Sequence, residues 1–235
     1  MQRSVMHSNN NKAEMSILAL FDGFVFSVLP CRLELVRAAA KKQGELWGKS
    51  FVFDEPKHRD VRILYNSPDG PDRPPAINIG ILLSEVDGVD GRKTLFVSSV
   101  ADGYSSMIAG VSREISGTHL TFEVSRPDVR YPGCASYAIR DGKSVRTVHA
   151  MLDNNWVFFE KGELLPFEQI DHYCARRKKD RLSVDIISSY INRLGYGSLD
   201  MGFWIDSTAP AHFLATTGFR MWNPSKRAVG DFRLG

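Results

Sequence analysis

Between about residue 50 and residue 165 the chain carries one short apolar segment after another, each separated from the next by only a few residues of turn chemistry. Parallel neighbours need a crossover of a dozen or more residues, so this spacing predicts antiparallel pairing. The segments are Val61–Tyr65, Ala76–Leu83, Thr94–Val100, Thr118–Val124, Ser136–Ile139, Val145–Met151, Trp156–Phe159 and Glu163–Leu165. Within Thr118–Val124 the alternation puts Leu120, Phe122 and Val124 on one face. Turn chemistry lies between the segments: the Pro- and Gly-rich run from Ser67 to Pro75, the two Asp-Gly steps of 87–91, Asp141-Gly142 and Lys161-Gly162. Upstream, Leu18–Phe21 and Phe24–Phe26 flank Asp22-Gly23 and read as a further hairpin.

Helical patterns bracket this region. Pro30 suits a first helical turn, and Leu35, Val36, Ala39, Ala40 and Trp47 follow at helical spacing up to Gly48. Near the other end Ser183 is an N-cap residue with Asp185 in the first turn. Ile187, Tyr190, Ile191 and Leu194 then recur at i, i+3, i+4 and i+7, and Gly195 supplies the stop. Gly202–Ile205 predicts a last strand. The fold class is α+β, a mainly antiparallel β-sheet with an N-terminal helix and a C-terminal helix packed on it. Residues 1–14, polar with a run of Asn, are expected to be disordered; 15–206 form a single domain, and 207–235 an irregular C-terminal tail.

Bulk properties narrow the function classes. A net charge of +3 falls short of the basic footprint of a dedicated nucleic-acid binder. Cys31, Cys134 and Cys174 are odd in number and far apart, with no CxxC pair. That spacing offers no zinc knuckle or redox motif and fits a reducing, cytoplasmic location. The apolar stretch Ile17–Cys31 is interrupted by Asp22 and ends in Pro30-Cys31, which argues against a cleaved leader, and it is too short to span a bilayer. No cofactor is implied: there is no P-loop, no dinucleotide fingerprint and no H-E-x-x-H.

Several residues are candidates for chemistry. Arg176, Arg177, Lys178, Lys179 and Arg181 place five cations in six positions, able to meet phosphates or an acidic protein surface. With Asp180 and Glu168 nearby and no interleaved aromatic residues, a solvated, salt-bridged face is the simpler reading. Glu168, His172 and Cys174 crowd just upstream and would suit a hydrolase in which a carboxylate orients a Cys–His pair, aided by His149 or Asp153. Such pairs usually meet across a fold rather than two positions apart, so loop polar residues and a packed thiol are favoured. Asp87, Asp90 and Glu85 have a faint calcium-loop look, but a Gly-rich connection between two strands explains them without a metal, so no metal site is assigned. Ser105 and Ser106 lack the G-x-S-x-G frame of a nucleophile elbow.

The C-terminal block carries Trp156, Phe158, Gly162, Pro166-Phe167-Glu168, Tyr173, Arg176-Arg177, Asp180-Arg181, Tyr190, Leu194-Gly195 and Phe203-Trp204. It resembles a group of uncharacterised bacterial proteins. That resemblance implies a bacterial cytoplasmic protein, with immunity or accessory roles among the group's candidates. Physically the block reads as a clasp in which Glu168 pairs with Arg176, Arg177 or Arg181 and pins the charged segment to the sheet.

The leading reading is a non-enzymatic protein-interaction module whose binding residues are Glu168, Arg176, Arg177, Lys178, Lys179 and Arg181. The alternatives are a hydrolase using Cys174 and His172 with Glu168, and a weak nucleic-acid binder working through Arg176–Arg181.

Overall fold

Nine strands, every neighbouring pair antiparallel, form one sheet in a computed structural model that describes residues 16–64, 79–100, 102–115, 117–126, 133–140 and 145–217. They are β1 (Gly23–Leu29), β2 (Phe51–Asp60), β3 (Gly80–Gly88), β4 (Gly91–Ser98), β5 (His119–Ser125), β6 (Cys134–Arg140), β7 (Val145–Leu152), β8 (Trp156–Lys161) and β9 (Ile205–Thr216). Their order across the sheet is β2-β9-β3-β4-β1-β5-β6-β7-β8. The α-helices are α1 (Leu33–Leu46), α2 (Ser105–Glu114), α3 (Ile170–Tyr173), α4 (Val184–Leu194) and α5 (Met201–Trp204). The fold is α+β, as the strand spacing requires. Among the described residues no helix is long and apolar enough to cross a membrane.

The two faces of the sheet are covered unequally. On one face a continuous core runs from Phe213 of β9 through Leu82, Val97, Phe26, Phe122 and Tyr137 to Val148 of β7. It is sealed by Ile187, Tyr190 and Ile191 of α4 and by Trp204 of α5. Trp204 is fully buried, stands edge-on to Phe24 at 4.8 Å, and spends its indole N–H on the Ser198 carbonyl at 2.8 Å. On the other face α1 and α2 cover only the part around Leu29, Ile81, Leu83, Phe96 and Leu214. Beyond Ser27 and Thr121, whose hydroxyls bond at 2.7 Å, that second face continues over β6, β7 and β8 with no helix on it among the described residues.

The α4 boundaries follow their sequence signals. The Ser183 hydroxyl accepts from the Ile186 N–H, and Gly195 closes the helix in the left-handed region at φ 70°. A side chain at Gly195 would meet the Asp87 carbonyl and Val89 nitrogen at 3.2 Å, because the helix end docks on the β3–β4 hairpin. There the Val89 N–H donates to the Leu194 carbonyl. The Asp-Gly steps of 87–91 are therefore a hairpin tip, with Asp87 paired to Arg92 and Asp90 to Lys93.

Five expectations need correction. Leu18–Phe21 is no hairpin arm; a short 3-10 turn spans Ile17–Ala19, and β1 pairs with β4 and β5 instead. Val61–Leu64 is likewise a 3-10 turn that follows β2, a charged strand that apolar patterning does not mark. Glu163–Leu165 makes no strand, because the backbone leaves the sheet at Gly162. Gly202–Trp204 is helical rather than extended. The tail expected to be irregular from 207 onward is, up to Thr216, the strand β9 inserted between β2 and β3. The helix α2 was not anticipated at all. Residues 1–14, the Ser67–Pro75 loop, the Asp141-Gly142 turn and residues 218–235 lie outside the described residues.

Removing the α4 cap gives a direct check on this layer. Ser183→Ala is expected to lower unfolding free energy by about 1 kcal/mol with an unchanged urea slope. An unaltered midpoint would show that packing alone sets the helix start.

Candidate functional site

One buried carboxylate, Glu168, anchors the C-terminal block. Gly162 ends β8 at φ 93°, and its α-carbon passes so close to β7 that any side chain would strike the Val145 carbonyl. The chain then crosses the filled face of the sheet, where Phe167 wedges against Tyr137 and Tyr190 at 5.8 and 5.4 Å between ring centres. This delivers the Glu168 side chain to a position with 0% exposure.

A buried carboxylate is costly unless paired and hydrogen-bonded. Glu168 is both. Arg146 of β7, itself 4% exposed, grips it with Nε on Oε1 at 2.9 Å and a terminal nitrogen on Oε2. The Leu165 N–H donates to Oε1 at 3.0 Å, and the Tyr173 hydroxyl to Oε2 at 2.9 Å. Arg146 also donates to the Gly162 carbonyl and to Glu160. Behind Tyr173 the hydroxyls of Tyr137 and Tyr190 complete a chain of phenols. Burial by itself would raise the Glu168 pKa; the bonds from Arg146, Tyr137, Leu165 and Tyr173 outweigh it and hold the carboxyl below its usual range. Burial raises the Tyr173 and Tyr137 phenols, so the cluster's negative charge sits on Glu168.

The expected partners of Glu168 are thus corrected. Arg177 pairs with Asp180, and Arg181 donates to the Ala175 carbonyl while lying 5.4 Å from the Phe158 ring centre. Arg176, Arg177, Lys178 and Lys179 are exposed. The turn Lys178–Asp180 lies against β7 and β8, which brings these cations to the end of the sheet. The partner missed in the sequence was Arg146. Its signal was there, since it shares the register of Val148 and Ala150, the face that the alternation of β7 buries.

The hydrolase constellation does not assemble. Cys174 is exposed at the end of α3. The His172 Nε2 accepts from the Gln169 amide at 2.7 Å, whose oxygen takes Arg193 at 2.6 Å. Glu168, enclosed by Arg146 and Tyr173, orients neither of them. His149 projects from the opposite face of β7, stacked on Phe159 at 5.1 Å, and Asp153 caps an exposed turn.

A second ionic cluster joins α1 to the far edge of the sheet. Asp54 of β2 receives Arg37 through two bonds of 2.7 Å and Lys41 through a third, with His212 Nε2 of β9 at 3.3 Å. The Arg37 bonds, aided by Lys41, pull the Asp54 carboxyl down to about 2. Burial, then Arg37, lowers the His212 pKa.

Comparison with protein-family models, with curated proteins and with solved structures finds no match for this chain. The meaning of the site therefore rests on its geometry.

Two stability tests follow from these clusters. Glu168→Gln leaves the buried Arg146 guanidinium only Glu160 and the Gly162 carbonyl and is expected to cost about 3 kcal/mol, whereas Arg146→Met with Glu168→Leu together regains most of it. A neutral Glu168→Gln in urea unfolding would sink the clasp. Asp54 is depressed in the folded state, so its contribution is full above the ordinary value of 3.8 and is lost as pH falls toward about 2. Asp54→Asn should accordingly flatten the fall of Tm across that window, and an unchanged profile would refute the assignment.

Proposed function

We propose that the chain is a non-enzymatic protein-binding module that presents the basic turn Arg176–Lys179 to an acidic surface on another protein. The observation that carries this reading is the division of labour within the C-terminal block. Glu168 is wholly spent inside the fold on Arg146, Tyr173 and the Leu165 N–H, while Arg176, Lys178 and Lys179 stand exposed with no ion pair among the described residues. Long cations left unpaired on a turn that a buried clasp holds in place give a positioned charge patch, which steers and orients a partner. The three unpaired thiols, Cys31, Cys134 and Cys174, suit a reducing cytoplasm. Immunity or accessory roles are among the candidates for the bacterial group that the C-terminal block resembles. A patch of so few charges fits a protein surface better than the multiple phosphate contacts that nucleic-acid affinity needs.

The reading is tested by capture from the native host with tagged wild type beside a Lys178→Glu/Lys179→Glu variant. The expected outcome is a stoichiometric protein partner on the wild type that is lost from the variant and eluted by salt. An empty wild-type column, or a partner held equally by both, overturns it. Nucleic acid recovered in place of protein would transfer the patch to phosphate binding.

A further inference from the structure

The two edges of the sheet are not equivalent. The outer strand β2 carries Pro56 and the charged residues Asp54, Glu55, Lys57, Arg59 and Asp60, and its pairing with β9 is broken by two register shifts. Proline, charge and irregularity are the devices by which an edge strand resists further pairing. The opposite edge, β8, has none of them along Trp156-Val-Phe-Phe, and its charges come only at the end, in Glu160 and Lys161. It pairs with β7 in unbroken register from Leu152↔Trp156 to Thr147↔Lys161, and no described strand lies beyond it.

The side chains along β8 specify what would fit there. On the face left bare by α1 and α2, Val157 and Phe159 are 40% and 43% exposed. On the filled face Phe158 packs against Tyr173, and the turn bearing Lys178 and Lys179 lies alongside. A strand added outside β8 would sit about 4.8 Å away and send alternate side chains to the two faces. Its residues on one face would meet Val157 and Phe159, and those on the other would approach the unpaired lysines. We infer that β8 accepts an extended strand from another protein in which apolar and acidic residues alternate, adding a tenth strand to the sheet. The backbone supplies the affinity and the alternation supplies the selectivity. This deepens the partner reading above and rests on it for the source of the strand.

The probe is a fluorescein-labelled, end-capped peptide Val-Glu-Val-Glu-Val-Glu-Val, offered to the full chain beside its block-ordered isomer Glu-Glu-Glu-Val-Val-Val-Val. Binding is read by anisotropy and located by amide hydrogen exchange. The alternating peptide is expected to bind about tenfold more tightly than the isomer and to raise protection across Trp156–Lys161. Phe159→Glu and, separately, Lys178→Glu/Lys179→Glu should each weaken it about tenfold, with thermal melts confirming that both variants remain folded. The lysine pair lies on an exposed turn, so that arm holds even if Phe159→Glu melts early. Equal affinity for the two isomers, protection elsewhere than β8, or self-association of the free chain through β8 overturns the inference. The two readings fail separately. A peptide that adds to β8 when host capture is empty leaves the edge standing and removes the partner. A captured partner indifferent to Phe159→Glu does the reverse.

Discussion

A carboxylate with no exposure cannot be left to itself, and much of the C-terminal half is arranged around satisfying Glu168. Its oxygens take a guanidinium, a phenol and a backbone N–H from β7, α3 and the loop before it. Those donors lie far enough apart in sequence that meeting them fixes the path of the chain from Gly162 to Leu182. An ion pair of this kind is weak as a source of net stability, since the desolvation of two charges offsets their attraction. Its physical effect is to favour one registry, the placement of Pro166-Phe167-Glu168 that sets the carboxylate against Arg146. The exposed turn Lys178–Asp180 inherits that placement, which is why a buried group governs where surface cations stand.

The sheet is also asymmetric in a way that pairs with this clasp. The face that holds Glu168 is filled from β9 to β7, while among the described residues the reverse face is covered only over the strands that α1 and α2 reach. Aromatic residues dominate the filled side, where Phe24, Phe26 and Trp204 make mutual contacts within about 6 Å. The bare stretch of β6 to β8 instead presents smaller and mixed residues such as Ser136, Thr147 and His149, which tolerate water on one side. Val157 and Phe159 are the exceptions, and they lie on the edge strand.

Legibility in the sequence followed the range of the interactions. The helix α4 could be read to its caps because Ser183, Gly195 and the spacing of Ile187, Tyr190 and Ile191 act within a few residues of one another. The strands β5 and β7 were legible from alternation, and antiparallel pairing from their separation. What could not be read was non-local. β2 is built from Asp54, Glu55, Lys57, His58, Arg59 and Asp60, and becomes a strand only because β9 lies beside it. β9 itself, with Ser207, Thr208 and Pro210 in its first half, looks like a loop until its Phe213 and Leu214 meet opposite faces of the sheet. At the site, local reading paired Glu168 with the nearest arginines in sequence. Burial chose Arg146, which lies on the filled face of β7 and meets Glu168 there alongside Glu160.

The insertion of β9 makes the two ends of the sheet depend on the chain in different ways. Among the described strands, β2 pairs with β9 alone. The strap of Arg37 and Lys41 from α1 onto Asp54 therefore holds its geometry only once residues 205–216 are in place, and His212 brings that strand into the same cluster. β5 to β8, by contrast, form a meander of sequential neighbours whose loop closures are short and cheap in entropy. Sheets whose pairing is local form early, and those that wait on a distant segment form late. The strand β2, whose pairing waits on the distant β9, is the one that carries proline and charge, the devices that protect an unpaired edge. β8, whose pairing to β7 is local, carries no such guard along Trp156-Val-Phe-Phe and keeps Val157 and Phe159 exposed.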